Sequence, residues 1–363
     1  MKNTFGNNVT VTLFGESHGN AIGVVLDGVA PNIPVDYERI DALLSLRRPA
    51  GEISTARKEK DEYEIKSGVF EGKTTGTPIC ILIPNKDTKS KDYGEMAEKA
   101  RPSHADFAAE CKYHGAQDYR GGGHQSGRLT AALVAAGGIL IPALERKGVY
   151  IGTHIKSCGG VSDRDFENIF EDIKALRDKQ FAVLCDNVAE QMKEKITKAK
   201  ENGDSVGGIL STAVFGLPAG VGEPWFDTVE GVLSHALFSI PAIKGVEFGS
   251  GFKLSDMCGS EANDEFYFDC GKVLTKTNNS GGINGGITNG MPVTFNCVVR
   301  PTPTISKPQN TVNIKTNENT VIEGKGRHDP CIVHRARVVV DSVTAIAICD
   351  ILCTRFGTDW LAK

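Results

Sequence analysis

The chain has 363 residues, 40% of them hydrophobic and 24% charged, a composition that excludes a disordered or membrane-embedded protein. A formal net charge of −4 argues against nucleic acid or an anionic membrane as the main partner, while leaving room for a local basic pocket. Ten cysteines with no secretion signal and no CxxC pair read as reduced thiols in a cytoplasmic protein without a metal site.

Residues 9–14 alternate Val and Thr and predict a strand, and residues 23–27 predict a second. Asp36 then caps a predicted helix that carries Ile40, Leu43 and Leu44 and stops before Pro49. Residues 65–70 and 78–83 read as strands. Residues 129–145 are apolar around most of the circumference and predict a buried helix, weakened by Gly137 and Gly138. The apolar run inside it, 131–144, is too short to span a bilayer. After residues 149–155 the pattern is helical to about residue 201; residues 207–215 are strand-like and a helix follows over 226–237. That order of strand, Gly/Pro turn and acid-led helix echoes residues 22–46, so two related αβ halves are expected within one unit over 1–363. Residues 249–291 are polar and glycine-rich, too long for an ordinary loop. Residues 338–352 predict a core helix or a strand followed by a helix.

Three segments combine glycine, hydroxyl or imidazole, and charge. Gly15-Glu16-Ser17-His18-Gly19 follows a predicted strand and satisfies GxSxG, the nucleophile elbow of serine hydrolases. The elbow needs a helix next, and residues 22–27 are strand-like, so a tight glycine turn competes with a nucleophilic Ser17. Arg120-Gly121-Gly122-Gly123-His124-Gln125-Ser126-Gly127-Arg128 opens the long helix, where backbone N–H groups and the helix dipole favour an anion. It nearly fits a P-loop, but Leu129 stands where Ser or Thr would hold magnesium, which removes a nucleotide triphosphate and leaves another phosphate. Arg327-His328-Asp329-Pro330-Cys331 is the third. Cys331 with His334, and Cys111 with His114, have metal-like spacing but no second ligand pair. Arg101-Pro102-Ser103-His104-Ala105-Asp106 and the pair Arg47-Arg48 add cations suited to carboxylate and phosphate. Residues alone thus point to a phosphorylated, carboxylated metabolite and acid–base chemistry by histidine. An anion-binding protein without catalysis remains the non-enzymatic alternative.

Over nearly its whole length the chain resembles the chorismate synthase family. Residues 5–28 resemble its N-terminal signature. Leu46 to Pro49, Lys66 to Gly72, Thr75 to Pro78, Arg101 to Asp106, Asp118 to Gly123, Lys244 to Glu247, Gly285 to Ile287 and Arg327 to Cys331 follow in order and spacing. The chain departs from the family at His124 to Arg128, in a shorter loop after Pro49, and at Arg300-Pro301. The resemblance implies a β-α-β sandwich subunit unlike a Rossmann fold, assembled as a homotetramer. It implies anti 1,4-elimination of phosphate from 5-enolpyruvylshikimate 3-phosphate, with reduced FMN required and no net redox change. NADPH enters only if the enzyme reduces its own flavin, and the short loop after Pro49 leans towards a separate flavin reductase. The implied catalytic residues are His18, His104, Asp329, Ser17 and Ser126, and the implied substrate arginines are Arg47, Arg48, Arg101, Arg128 and Arg327. The implied flavin contacts are His124, Gln125, Ser126, Ala242, Gly286, Arg300, Pro301, Thr302, Pro303, Thr304 and Arg327.

Overall fold

A computed structural model describes residues 2–49, 51, 53–54, 60–86, 98–324 and 329–363. The Val/Thr alternation near the N-terminus forms an antiparallel ribbon of β1 (Thr4–Phe5), β2 (Thr10–Gly15) and β3 (Ala21–Asp27). Helix α1 (Tyr37–Arg47) follows, and its Asp36 cap accepts from the Arg39 backbone N–H at 2.9 Å, as the sequence predicts. The strand expected over 65–70 is broken in two. Gly68, at φ +81°, turns the chain between β4 (Glu64–Ile65) and β5 (Val69–Phe70). β5 therefore pairs with β6 (Lys73–Thr74), while β4 joins β7 (Ile79–Pro84) in a five-stranded sheet of order β1-β2-β3-β7-β4.

After α2 (Asp106–Tyr113) and α3 (Thr130–Arg146) the pattern repeats. β8 (Tyr150–Cys158) leads through β9 (Val161–Ser162), α4 (Ile169–Leu176) and α5 (Asp186–Glu201) to β10 (Gly208–Phe215), its antiparallel partner. Then come α6 (Val229–Leu237) and β11 (Ile243–Phe248). Residues 249–291 are no loop. They form the short helix α7 (Gly259–Ala262), the hairpin β12 (Phe266–Asp269)–β13 (Lys272–Thr275) and the small ladder β14 (Ile283–Asn284)–β15 (Ile287–Thr288). β16 (Val293–Val299) completes a second five-stranded sheet, β11-β16-β10-β8-β9. A hairpin of β17 (Gln309–Asn313) and β18 (Glu318–Ile322) precedes α8 (Val333–Phe356), one continuous helix that starts before the predicted Val338.

The two halves correspond element by element: β2, β3, α1, β7 and α3 match β8, β10, α6, β16 and α8. Even the turns match. Gly28 (φ +79°) and Gly216 (φ +88°) end β3 and β10, and a Cβ there would lie 1.7 Å from the Asn8 carbonyl oxygen and 2.0 Å from that of Gly148. Only glycine fits either place.

α3 packs on β3 and β7, α8 packs on β8 and β10, and the helices pack on each other between the sheets. The segment Gly127–Arg146 is long and apolar enough to cross a membrane, longer than the run seen in sequence, yet 94% of its most apolar window is buried in the fold. Gly137 and Gly138 are where α3 is approached most closely. A Cβ on Gly137 would stand 2.4 Å from Ser342 Cβ, and one on Gly138 2.7 Å from Ile40 Cγ1. The glycines that weaken the helix in isolation are the ones that let α8 and α1 reach it.

Gly137→Ala should therefore lower stability by about 1–3 kcal/mol through overpacking, despite a helix-propensity gain of about 1 kcal/mol. Urea unfolding measures it; a raised midpoint would show that propensity outweighs the α3–α8 contact.

Candidate active site

The glycine triplet folds as a left-handed run, with φ of +58°, +84° and +53° at Gly121, Gly122 and Gly123. Its lack of a side chain is required by space on the His18 side, whereas a Cβ on the His104 side would only reach ordinary contact. A Cβ on Gly121 would lie 2.3 Å from His18 Cε1 and 3.0 Å from Ser17 Oγ, and one on Gly122 3.4 Å from His104 Cε1. The triplet is thus a thin wall between two imidazoles. Backbone bonds fix the wall to the first hairpin: Ser17 N–H donates to Gly123 O at 3.1 Å, and His124 Nδ1 donates to Gly15 O at 2.8 Å. Ser17 and His18 are buried beneath it. The GxSxG segment is the turn between β2 and β3, strand to strand, so the strand–turn–helix geometry of a nucleophile elbow is absent and the hydrolase reading falls.

In front of the wall opens a cleft of about 590 Å³. Its lining includes His104, His124, Gln125 and Ser126, the Ala242 turn, Arg300, Thr302 and Pro303, together with Asp329 from the loop before α8. The first turns of both central helices open onto it, through Thr130 of α3 and Arg335 and Ala336 of α8, so two helix N-termini add positive potential. Five arginines (Arg47, Arg48, Arg128, Arg300, Arg335) face two aspartates (Asp61, Asp329) in this lining. A smaller cavity of about 360 Å³ adjoins it and shares His124, Ser126 and Thr130.

Asp61 organises the arginines. It is 3% exposed and accepts from Arg47 Nη2 at 2.9 Å and from Arg128 Nη1. Arg47 Nη1 also reaches Thr130 Oγ1 at 3.3 Å, and Arg128 Nε reaches Asn85 Oδ1 at 3.1 Å. Burial alone would raise the Asp61 carboxyl, but Arg47 and Arg128 together hold it below the usual carboxylate range. Burial drives the Arg47 guanidinium down from its usual value, against the pull of Asp61. Arg48 and Arg300 differ: their guanidinium groups donate to carbonyls, of Lys60 and Ser103, and neither is hydrogen-bonded to a carboxylate among the described residues, although Glu62 lies close enough to Arg48 to feel its charge. Asp329 is paired with Arg335.

Not every implied residue is at the cleft. Arg101 lines a separate small cavity behind His104, and its guanidinium is bound to Asp106 through two 2.7 Å bonds rather than presented to an anion. Gly286 is buried at the start of α6, where a Cβ would lie 2.5 Å from Thr228 Cγ2; its positive φ serves that packing and not the cleft of this chain. Pro301 and Thr304 flank the cleft-lining Thr302 and Pro303 without lining it themselves. Arg327 lies outside the described residues. Cys331 and His334 are neighbours, with Cys331 Sγ also 3.6 Å from Cys158 Sγ and His334 Nε2 2.9 Å from Ser54 Oγ. Sequence reasoning missed Asp61, Asp106 as a partner of His104, and Arg335.

A profile described as chorismate synthase matches residues 9–353. The chain is 44% identical over 357 residues to the chorismate synthase of Cytophaga hutchinsonii, covering 96% of this chain and 97% of that one. It is 45% identical over 370 residues to the chorismate synthase of Methanocaldococcus jannaschii, covering 97% and 96%. A crystal structure of chorismate synthase superposes with a TM-score of 0.77 at 30% identity, over 97% of this chain and 94% of that one.

Asp61→Asn leaves two buried guanidinium groups without their carboxylate, which should cost about 3–5 kcal/mol in urea unfolding at pH 7. Because folding lowers the Asp61 pKa from its ordinary 3.8, its contribution is full above that value and lost as pH falls below it. The gap between parent and variant should therefore narrow on acidification below about pH 4. A gap unchanged down to the acid transition would contradict the ion-pair account.

Proposed function

The chain belongs to the chorismate synthase family, and from that premise we infer how its own residues carry the family's reaction. The enzyme is a carbon–oxygen lyase of the shikimate pathway that eliminates phosphate from 5-enolpyruvylshikimate 3-phosphate to give chorismate. One observation carries the assignment of the cleft: five arginines against two aspartates beside a histidine suit a substrate with one phosphate and two carboxylates. In this reading Arg48 and Arg300, neither hydrogen-bonded to a carboxylate among the described residues, take substrate or cofactor anions directly. Arg47 and Arg128 share one carboxylate and present the remaining positive charge, with Ser126 and the α3 N-terminus beside them. His104 gives a proton to the departing phosphate. Asp329, paired with Arg335, is proposed as the carboxylate that assists removal of the C6 proton at the cleft. Arg327 is proposed as a further anion contact.

The residues also fit a flavin. The wall is side-chain-free at Gly121 and Gly122, a Cβ on Gly127 would meet nothing within 4 Å, and Thr302 Oγ1 is buried without a partner among the described residues. The cleft volume of about 590 Å³ lies within the range of cofactor sites. His124, Gln125, Ser126, Ala242, Arg300 and the 301–304 turn are proposed to hold reduced FMN, with Ser17 Oγ and His18 exchanging protons behind the wall. Reduced flavin, when bound, supplies electron density as phosphate leaves and recovers it as the non-acidic C6 hydrogen departs. We further propose reduction by a separate reductase, which the short loop after Pro49 supports. A homotetramer is supported by exposed aromatics, Phe226 at 94%, Trp225 at 85% and Phe252 at 81%. Ten thiols free of disulfides support a cytoplasmic setting.

Anaerobic protein with substrate and dithionite-reduced FMN should release phosphate; oxidised FMN should not, and NADPH with oxidised FMN should not replace dithionite. Release with oxidised flavin alone would end the electron-lending account. His104→Ala should slow single-turnover phosphate release by about 100- to 10,000-fold, with flavin affinity retained. Arg48→Ala should raise the substrate Kd by about 10- to 100-fold, less at high salt; an unchanged Kd would remove Arg48 from the anion site.

A further inference from the structure

Arg101 and Asp106 bracket His104 in a way that a simple helix start does not require. Arg101 donates to Asp106 through Nε to Oδ2 and Nη2 to Oδ1, both at 2.7 Å, and its backbone N–H adds a bond to Oδ2 at 3.0 Å. His104 Nδ1 lies 2.7 Å from Asp106 Oδ1 and 3.0 Å from Arg101 Nη2. A guanidinium only donates, and an imidazole nitrogen carries either one hydrogen or one lone pair. Burial would raise the Asp106 carboxyl, but its bonds from Arg101 and His104 hold it well below the usual range, so it is an acceptor at neutral pH. The short contact then requires Nδ1 to carry the hydrogen and donate it to Oδ1, with Arg101 Nη2 passing close by. Nε2 is left as the nitrogen that changes protonation. It lies on the side of the glycine wall, 3.7 Å from where a Gly122 Cβ would stand, and His104 lines the cleft.

The other charged or titratable groups around His104, among the described residues, come from three further elements. Asp118, paired with Arg120, and Tyr119 lie across the small cavity; Arg300 reaches Ser103 O; Asp329 and Arg335 face it over the cleft. The hydrogen-bond partners of Nδ1 are Asp106 and Arg101 instead.

We propose that Arg101 and Asp106 are a positioning pair for the elimination: Asp106 fixes His104 as the Nδ1–H tautomer so that Nε2 delivers the proton to the leaving phosphate, and Arg101 offsets the Asp106 charge so that the imidazolium releases that proton. This rests on the reading of His104 as the acid, and it removes Arg101 from the substrate arginines. The proton lost from Nε2 goes to a phosphate oxygen as the carbon–oxygen bond breaks, and solvent reprotonates Nε2 between turnovers.

The pair predicts opposite effects on the pH profile of single-turnover phosphate release with pre-reduced FMN. Asp106→Asn removes an anion and leaves a cation beside His104, so the alkaline limb should move to lower pH by roughly one unit. Its rate at pH 7 should fall about 10- to 100-fold, with KM little changed. Arg101→Gln removes the cation, so the limb should move to higher pH by a similar amount. In ¹⁵N NMR of the ligand-free parent above the imidazole titration, the signals lost in His104→Asn should be those of an Nδ1–H tautomer. Limbs that move together or not at all overturn the proposal, as does an Nε2–H tautomer in the parent. A tenfold rise in KM for Arg101→Gln with an unmoved limb would make Arg101 a substrate contact and also overturn it. If Asp106→Asn does not fold, the parent tautomer and the Arg101→Gln limb decide. Parent-like turnover by His104→Asn would instead defeat the acid reading itself, while the tautomer measurement would still report on the pair.

Discussion

The approach of α3 to α8 at Gly137 and Ser342 is the constraint on which the rest of the molecule depends. Each sheet buries one face on one of these helices, so the separation of the helices sets the separation of the sheets. Packing at that distance also fixes where the helices begin. Thr130 and Arg335, in their first turns, both border the cleft. Two helix N-termini held together by core packing therefore make an electropositive floor before any arginine is added. A shift in the core would be felt in the site as a change of geometry, because close-packed interiors transmit displacement rather than absorb it.

On that floor the arginines have unequal standing. Asp61 ties Arg47, at the end of α1, to Arg128, just before α3. It holds two long cations in one conformation and lowers their joint charge from two to one. Arg335 is tied in the same way to Asp329. The arrangement sacrifices some raw attraction for a multiply charged ligand in return for groups that need little reorganisation when it binds. Arg48 and Arg300 are hydrogen-bonded to no carboxylate among the described residues, and both are anchored through backbone carbonyls, which orient a guanidinium without neutralising it.

Much of the fold was legible because its signals are local. The Asp36 cap, the Val/Thr strand and the apolar circumference of α3 are each written within one turn or one strand of sequence. The glycine triplet was legible as a special turn, but its reason was not: Gly121 is required by His18, and Gly122 lies in contact with His104, from two distant segments. Asp61 was missed because it sits in the charged run Lys58-Glu59-Lys60-Asp61-Glu62, which reads as a solvated face. Only the tertiary fold, with Asp61 at φ +47°, turns it inward. Arg335 was missed because the apolar pattern starts at Val338, whereas the helix begins at Val333 and exposes its first turn to the cleft. Asp106 carried a signal that could have been used, since an aspartate two residues after a histidine is close enough to orient its ring. The hairpin at residues 266–275 was hidden by glycines that look like loop and by aromatic residues that face outward.

The matched halves, down to the equivalent glycines Gly28 and Gly216, give the fold an internal pseudo-symmetry. The contact of α3 with α8 lies where the two halves meet, and a helix crossing as close as this one takes residues as small as Gly137 and Ser342. The halves differ where their hairpins close. The first has a tight turn between β2 and β3 and uses it for Ser17 and His18. The second has β9, α4 and α5 in the equivalent place, which reach from β8 to β10. Symmetry holds where burial demands it and fails at the rims, so a pseudo-symmetric fold has a single, chemically one-sided cleft.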